Sequence, residues 1–284
     1  LFFTNKGKVY RIKGYEIPEA GRTSRGIAIV NLLEIDSDEK IMAGISVREF
    51  SEDKYLAMIT KQGIIKKTDM SSFANIRKSG LIALNLREDD DLISVMTVEK
   101  DDQIFVATRK GMAIRFNEND VRAVGRAARG VKAIELKEND EVVGMVVISE
   151  NQDSSKKILT VSETGLGRLS EHEEYRVQSR AGKGVLNYHI EKYGKVASVA
   201  LVSPEDDIIM ISSDGILIRI PASQINVVSR TSKGVRVMRL AEGERVVSAI
   251  AVKEAEKKDD GEDGDENTDA EGEGPEAQEG TNEE

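Results

Sequence analysis

Arg22 and Arg25 stand three residues apart immediately before Gly26. The same arrangement returns as Arg126, Arg129 and Gly130, as Arg180, Lys183 and Gly184, and as Arg230, Lys233 and Gly234. A fifth stretch keeps the charge with altered spacing, Arg77 and Lys78 ahead of Ser79 and Gly80. Paired cations beside glycine suit a phosphate backbone. Each phosphate neutralised by Lys or Arg releases condensed counterions, and glycine lets backbone amides approach the phosphate oxygens as well. A solvated turn accounts for any single pair of this kind. Recurrence in fixed register is what points past a solvated turn to nucleic acid, with a protein surface as the alternative partner.

These loops recur because the chain repeats. Segments beginning at Leu1, Tyr55, Ile104, Lys157 and Ile208 each open with a short apolar run and turn at Thr or Ser, two residues, then Gly: Thr4 to Gly7, Thr60 to Gly63, Thr108 to Gly111, Ser162 to Gly165 and Ser212 to Gly215. A glycine closing a tight loop between two β-rich runs reads as a hairpin needing positive φ. The second run carries a basic residue three or four places on, namely Arg11, Lys66 with Lys67, Arg115, Arg168 and Arg219. These count with the loop cations as phosphate ligands. The second glycine follows the first by 19 residues in four units and by 17 in the second. Beyond it apolar residues return at offsets of one, four and six, as in Val131, Ile134 and Leu136, and the break in the period of two suggests a bulge. A fourth run closes each unit, for example Val142 to Ile148 and Val246 to Val252. Four short strands in about 50 residues is the size of a propeller-type blade, and such units bury their faces only by stacking on neighbours. The expectation is an all-β ring with the loop cations as stations on one rim. No long amphipathic helix is apparent.

Composition narrows the chemistry. The 284 residues include no cysteine and no tryptophan, and no apolar run approaches the ~20 residues of a membrane span. A disulfide framework and thiolate metal sites are thereby excluded, and a cytoplasmic setting is expected. His172 and His189 are the only histidines, too few for a catalytic or zinc constellation, and His189 reads as a polar strand residue. Acid clusters such as Asp89 to Asp91, Asp101 with Asp102, and Asp206 with Asp207 fall in turns. The net charge of −10 is uneven. From Glu254 onward 15 Asp and Glu face two Lys, a net of −13, which leaves 39 basic and 36 acidic residues, net +3, in the first 253. Residues 1–252 read as the folded domain and 253–284 as a disordered acidic tail, too poor in apolar groups to offset its ordering entropy. Such a tail would either solubilise the protein or compete with a polyanion for the basic rim. Leu1 already lies in an apolar run, so the sequence reads as a piece of a longer chain.

At the loops a family becomes recognisable. QSRAGKG, from Gln178 to Gly184, resembles the QRRGGKG box of the gyrase A protein of bacterial DNA gyrase, agreeing in five of seven positions. KGKVYRIKGYEIPEA with IVNLL at Ile29 to Leu33 is similar to the start of that protein's C-terminal domain. The resemblance spans Leu1 to Val252. It implies a six-bladed β-pinwheel, its first blade cut short if the chain begins inside it, wrapping duplex DNA on its rim; the residues themselves carry no recognition-helix signal for reading bases. The family's full box would lie upstream, so the copy at Gln178 is a degenerate relative. The resemblance further implies that the domain is not an enzyme by itself and needs no cofactor, ATP and Mg2+ acting elsewhere in the complete enzyme. None of Tyr10, Tyr15, Tyr55, Tyr175, Tyr188 or Tyr193 matches the setting of the family's catalytic tyrosine. Implied partners are double-stranded DNA, the rest of the gyrase A protein and the gyrase B protein in an A2B2 enzyme, with no membrane, on chromosomal DNA in the cytoplasm. The corresponding domain of topoisomerase IV is the near alternative. A protein-interaction propeller of the WD type is disfavoured by the absence of Trp, and a hydrolytic propeller lacks an acid, base and metal set.

Overall fold

Each repeat begins with a hairpin whose turn chemistry explains the Thr/Ser-x-x-Gly pattern. The glycine amide donates to the carbonyl three residues back, as from Gly63 to Thr60 and from Gly165 to Ser162. The hydroxyl of Thr60, Thr108, Ser162 or Ser212 then accepts from the amide after the glycine, at 3.2 Å each time. All five of these glycines adopt positive φ. The acid clusters serve neighbouring turns: Asp90 and Asp140 accept from the amides of Gln62 and Lys110 respectively.

The computed structural model describes residues 1–20, 24–149 and 155–253. Among these, five small antiparallel sheets form. From inner to outer strand the first holds Ile41–Gly44, Phe2–Thr4, Lys8–Tyr10 and Leu81–Ile82. The second holds Leu92–Val98, Tyr55–Thr60, Ile64–Asp69 and Val131–Lys132, and the third Val142–Ile148, Gln103–Thr108, Met112–Asn117 and Val185–Leu186. The fourth holds Val196–Val202, Lys157–Ser162, Leu166–Ser170 and Val235–Arg236. The fifth has three strands, Val246–Lys253, Asp206–Ser212 and Leu217–Pro221.

A blade is therefore not one repeat. The outer strand of every four-stranded sheet comes from the repeat that follows, so Leu81–Ile82 of the second repeat completes the first blade. This corrects two expectations. Five blades form among the described residues rather than six, and the first blade is complete in four strands while the last is the short one. The physical reason is the strand exchange itself: among the described residues no later segment pairs with Leu217–Pro221 as an outer strand. The matching segment of the first repeat, after Gly26, pairs with no hairpin among the described residues and forms a 3-10 turn at Ile29–Asn31. A Cβ on Gly165 would lie 2.2 Å from the Met238 carbonyl and one on Gly184 2.2 Å from that of Ala113, whereas Gly26 and Gly215 meet nothing within 4 Å.

The bulge also falls elsewhere than expected. After the second glycine the chain runs extended for two residues, then turns inward so that Asn187 and Tyr188, for example, both donate to the Gly111 carbonyl of the preceding repeat. The recurrent irregularity lies between the first and the inner strand, at Phe3/Thr4, Ile59/Thr60, Val142/Gly144, Val161/Ser162 and Ile211/Ser212.

Apolar packing follows the blade interfaces. Four buried clusters separate successive blades: Phe3, Leu56 and Phe73 belong to the first, Ile59, Val106 and Phe116 to the second, Phe105, Ile158 and Tyr175 to the third, and Leu159, Ile208 and Met210 to the fourth. The one α-helix among the described residues is Ile190–Tyr193, entered from His189, whose ring lies edge-on to Tyr193 at 6.5 Å, so His189 is not a strand residue. No helix among the described residues is long and apolar enough to cross a membrane. The last strand runs one residue past Val252, and the acidic segment from Glu254 lies outside the described residues.

Candidate nucleic-acid interface

From the second hairpin strand the chain makes a 3-10 turn and then crosses the hairpin of the preceding repeat before reaching the second glycine. Isolated parallel bridges mark the crossing, Lys67 with Ala123, Arg115 with Val177 and Leu169 with Val227. Each crossing leads directly into an outer strand, so these loops lie on the outer rim of the blades.

The hairpin cations sit beneath the crossings. Lys66 and Arg168 are fully buried, and Lys67 and Arg115 are 6% and 8% exposed. Lys66 Nζ donates to the carbonyl of Ala83 at 2.6 Å and to that of Arg126. Lys67 Nζ pairs with Glu118. Arg115 donates to the carbonyls of His172 at 2.6 Å and Tyr175 at 3.3 Å, and Arg168 to those of Asn187 at 2.5 Å and Arg230. A cation taken from water needs such partners, because an unmatched buried charge costs several kcal/mol. Burial with a nearby Arg126 pushes the Lys66 ammonium down to about 8. Burial likewise lowers Arg115 and His172 from their ordinary values. Lys66, Lys67, Arg115 and Arg168, expected from the sequence as phosphate ligands, instead tie a loop to the preceding repeat, and none is more than 8% exposed. Arg11 has a mixed position, donating to the Ala74 carbonyl at 2.5 Å while remaining partly open and lying 5.9 Å from the Phe50 ring. Arg219, in the fifth repeat, is crossed by no loop among the described residues and pairs with Asp207 of its own hairpin at 2.5 Å.

The loop cations divide by position. Arg126, Arg180 and Arg230, the first members of their pairs, are half-buried, and two are turned to the protein: Arg180 donates to the carbonyls of Asp120 at 2.8 Å and Lys132 at 3.1 Å, and Arg230 to that of Leu186. Arg126 offers its own carbonyl to Lys66. The second member, Arg25, Arg129, Lys183 or Lys233, is exposed, as are Arg77 and Lys78 of the irregular loop. Among the described residues none of these six joins an ion pair. Arg22 lies outside the described residues.

The same rim carries exposed cations that the repeat motif passed over. Arg122 and Arg176 each precede the first Arg of a pair by four residues, and Lys132 and Arg236 each follow the second glycine by two. Aligning the repeats on that glycine shows both coincidences, but each occurs in only two units.

Known proteins share this architecture. A family model described as "DNA gyrase C-terminal domain, beta-propeller" matches five times, at residues 1–48, 54–99, 102–149, 156–203 and 206–253. The DNA gyrase A protein of Staphylococcus epidermidis is 42% identical over 257 residues, covering 89% of this chain and 28% of that protein. Its counterpart from Haloquadratum walsbyi is 44% identical over 253 residues, covering 87% and 29%. The chain thus spans under a third of the length of these relatives. Among solved structures, the C-terminal domain of DNA topoisomerase IV superposes with a TM-score of 0.79 at 28% identity, covering 89% of this chain and 78% of that one. The DNA gyrase A C-terminal domain does so with 0.75 at 28%, covering 88% and 80%. The strand-exchanged blades, their repeat by repeat match to the family model and the extent of identity together place this chain in the family of the DNA gyrase A C-terminal domain.

Proposed function

We infer that this domain binds duplex DNA without reading sequence and bends it around the basic rim. The observation that carries the reading is positional: Arg25, Arg129, Lys183 and Lys233 occupy one register, all exposed and free of ion pairs among the described residues. Phosphate contacts that lack base-edge partners supply affinity and bending but little direct sequence preference. Arg77, Lys78, Arg122, Lys132, Arg176 and Arg236 extend the same track. The half-buried Arg180 and Arg230 hold their loops in place for it.

Family membership supports assigning this bending to a gyrase, where a right-handed wrap would prepare negative supercoiling driven by ATP and Mg2+ in other domains. The partners of that assembly would be the remainder of the gyrase A protein and the gyrase B protein as an A2B2 enzyme, acting on chromosomal DNA in the cytoplasm. This domain would contribute no catalytic residue and hold no cofactor. Its likeness to the topoisomerase IV domain supports the corresponding domain of that enzyme as a second reading, and the degenerate box at Gln178 supports binding and bending without a wrap.

Ligation of nicked circular DNA in the presence of the purified domain separates the two. A wrap predicts a positive linking shift at low salt that disappears at high salt. Binding with no linking shift supports the second reading, and no binding at low salt would sink both.

A further inference from the structure

The first three repeats together build a groove on the rim. A groove of about 800 Å3 runs along the rim across three repeats, with Arg11 and Lys13 from the first, Arg77 and Lys78 from the second and Arg126 from the third. One carboxylate, Glu16, lies among these five cations, and its Oε2 already accepts from the Lys13 amide at 2.9 Å. The altered spacing of the second loop has its consequence here, since adjacent rather than separated cations line the groove.

Tyr15 also lines the groove and is 85% exposed. It is the one aromatic among the large apolar side chains left exposed in the described residues. A single exposed aromatic is ordinary on a protein surface, so its setting decides the matter. Tyr15 rides on a 3-10 turn, Gly14–Glu16, closed by amides of Glu16 and Ile17 donating to the carbonyls of Lys13 and Gly14. The backbone therefore holds it outward. The residues at the same distance from the first glycine in the other repeats are Ser71, Asn119, Glu173 and Ser223, none of them apolar. An aromatic wedge replaces a polar residue only where the rim cations converge.

We propose that this groove is a DNA-kinking station: its cations hold the phosphate backbone while Tyr15 presses between adjacent base pairs of the minor groove. The proposal rests on the DNA-binding reading above. Apolar wedges inserted at a base step unstack it and bend the duplex, and the surrounding phosphate contacts offset the cost of unstacking. Flexible pyrimidine–purine steps would be taken preferentially, giving the rim a preference by deformability.

The chain has no tryptophan, so Tyr15→Trp introduces a single fluorescent reporter. Adding duplex DNA to this variant of the whole chain should quench its emission as the indole stacks on bases. Tyr15→Ser should keep the fold by circular dichroism, weaken duplex binding about five- to fifty-fold and remove permanganate-reactive unstacked thymines. Replacing Arg77 and Lys78 together by Ala should lower the salt-dependence slope by about two while leaving the fold intact. If wild type and Tyr15→Ser bind and bend DNA alike, or the indole emission of Tyr15→Trp is unmoved on binding, the kinking station is overturned and the rim reading stands. If wild-type chain fails to bind duplex DNA, both fall.

Discussion

Two residues show how much local chemistry the rim conceals. Lys66 is read from the sequence as a phosphate ligand, yet it is fully buried beneath the crossing loop of the next repeat with two carbonyls for partners. Its folded value of about 8 lies below the ordinary lysine value of 10.5, which has a definite consequence for stability. Between those pH values the unfolded chain still binds a proton that the folded chain has released, so this group makes stability rise with pH across the window. Unfolding free energies from urea titrations of wild type and Lys66→Met from pH 7 to pH 10 should diverge in favour of wild type, by roughly 1–3 kcal/mol. A constant difference would show that Lys66 does not titrate there. Ala181 is the second case. Of the two positions at which Gln178–Gly184 departs from the family's box, this one replaces glycine, and its φ is 65°. The Ala181 amide is held by the Ala133 carbonyl at 2.6 Å, which fixes the strained conformation. Ala181→Gly should relieve the left-handed strain of about 1–2 kcal/mol, less the backbone entropy glycine gives up. A stability gain of about 0.5–1 kcal/mol, seen as a raised thermal midpoint, is expected. A fall would mean the strain is not there.

At the scale of the element, strand exchange gives the repeated glycines unequal roles. Gly165 and Gly215 close equivalent hairpins with φ of 79° and 82°. A Cβ on Gly165 would meet the backbone carbonyl of Met238 at 2.2 Å, whereas one on Gly215 meets nothing within 4 Å. Gly215→Ala should cost about 1 kcal/mol, from positive φ alone, while Gly165→Ala should cost at least about 3 kcal/mol because backbone must move. Equal losses in chemical denaturation would refute the close approach. The same feature explains what the sequence could and could not disclose. Hairpins, glycine spacing and the number of repeats were legible, because turn chemistry is local. Which hairpin the run after the second glycine pairs with was not, because Val131–Lys132 has the same local pattern whether it joins its own blade or the one before. The burial of Lys66, Lys67, Arg115 and Arg168 follows from that pairing, since it is the following repeat's loop that covers them. Charge alone therefore pointed to the rim and assigned too many residues to its surface.

For the whole molecule, stability is distributed between neighbours rather than gathered in one core. Each of the four apolar clusters joins two successive blades, so the second, third and fourth blades draw on two clusters and the first and fifth on one. The fifth also lacks an outer strand, and Ile216, Leu217, Val247 and Ile250 remain 46–58% exposed on it. Chains built in this way follow nearest-neighbour energetics, in which end units open at lower free energy than interior ones. Native-state hydrogen exchange should then release the amides of Asp206–Ser212 and Leu217–Pro221 well before those of Gln103–Thr108, whose blade is clasped on both sides. Exchange of all three strands at one common free energy would mean that the blades unfold as a single cooperative unit. The ordering matters for function because Lys233 and Arg236 belong to the fifth repeat yet lie at the outer edge of the fourth blade. Opening of the last hairpin alone leaves that outer strand in place, so the rim cations of four blades stay in register while the terminal blade breathes. DNA laid along the rim would bridge the loops of successive repeats and oppose this opening, which predicts that bound duplex slows exchange in the outer strands more than in the inner ones.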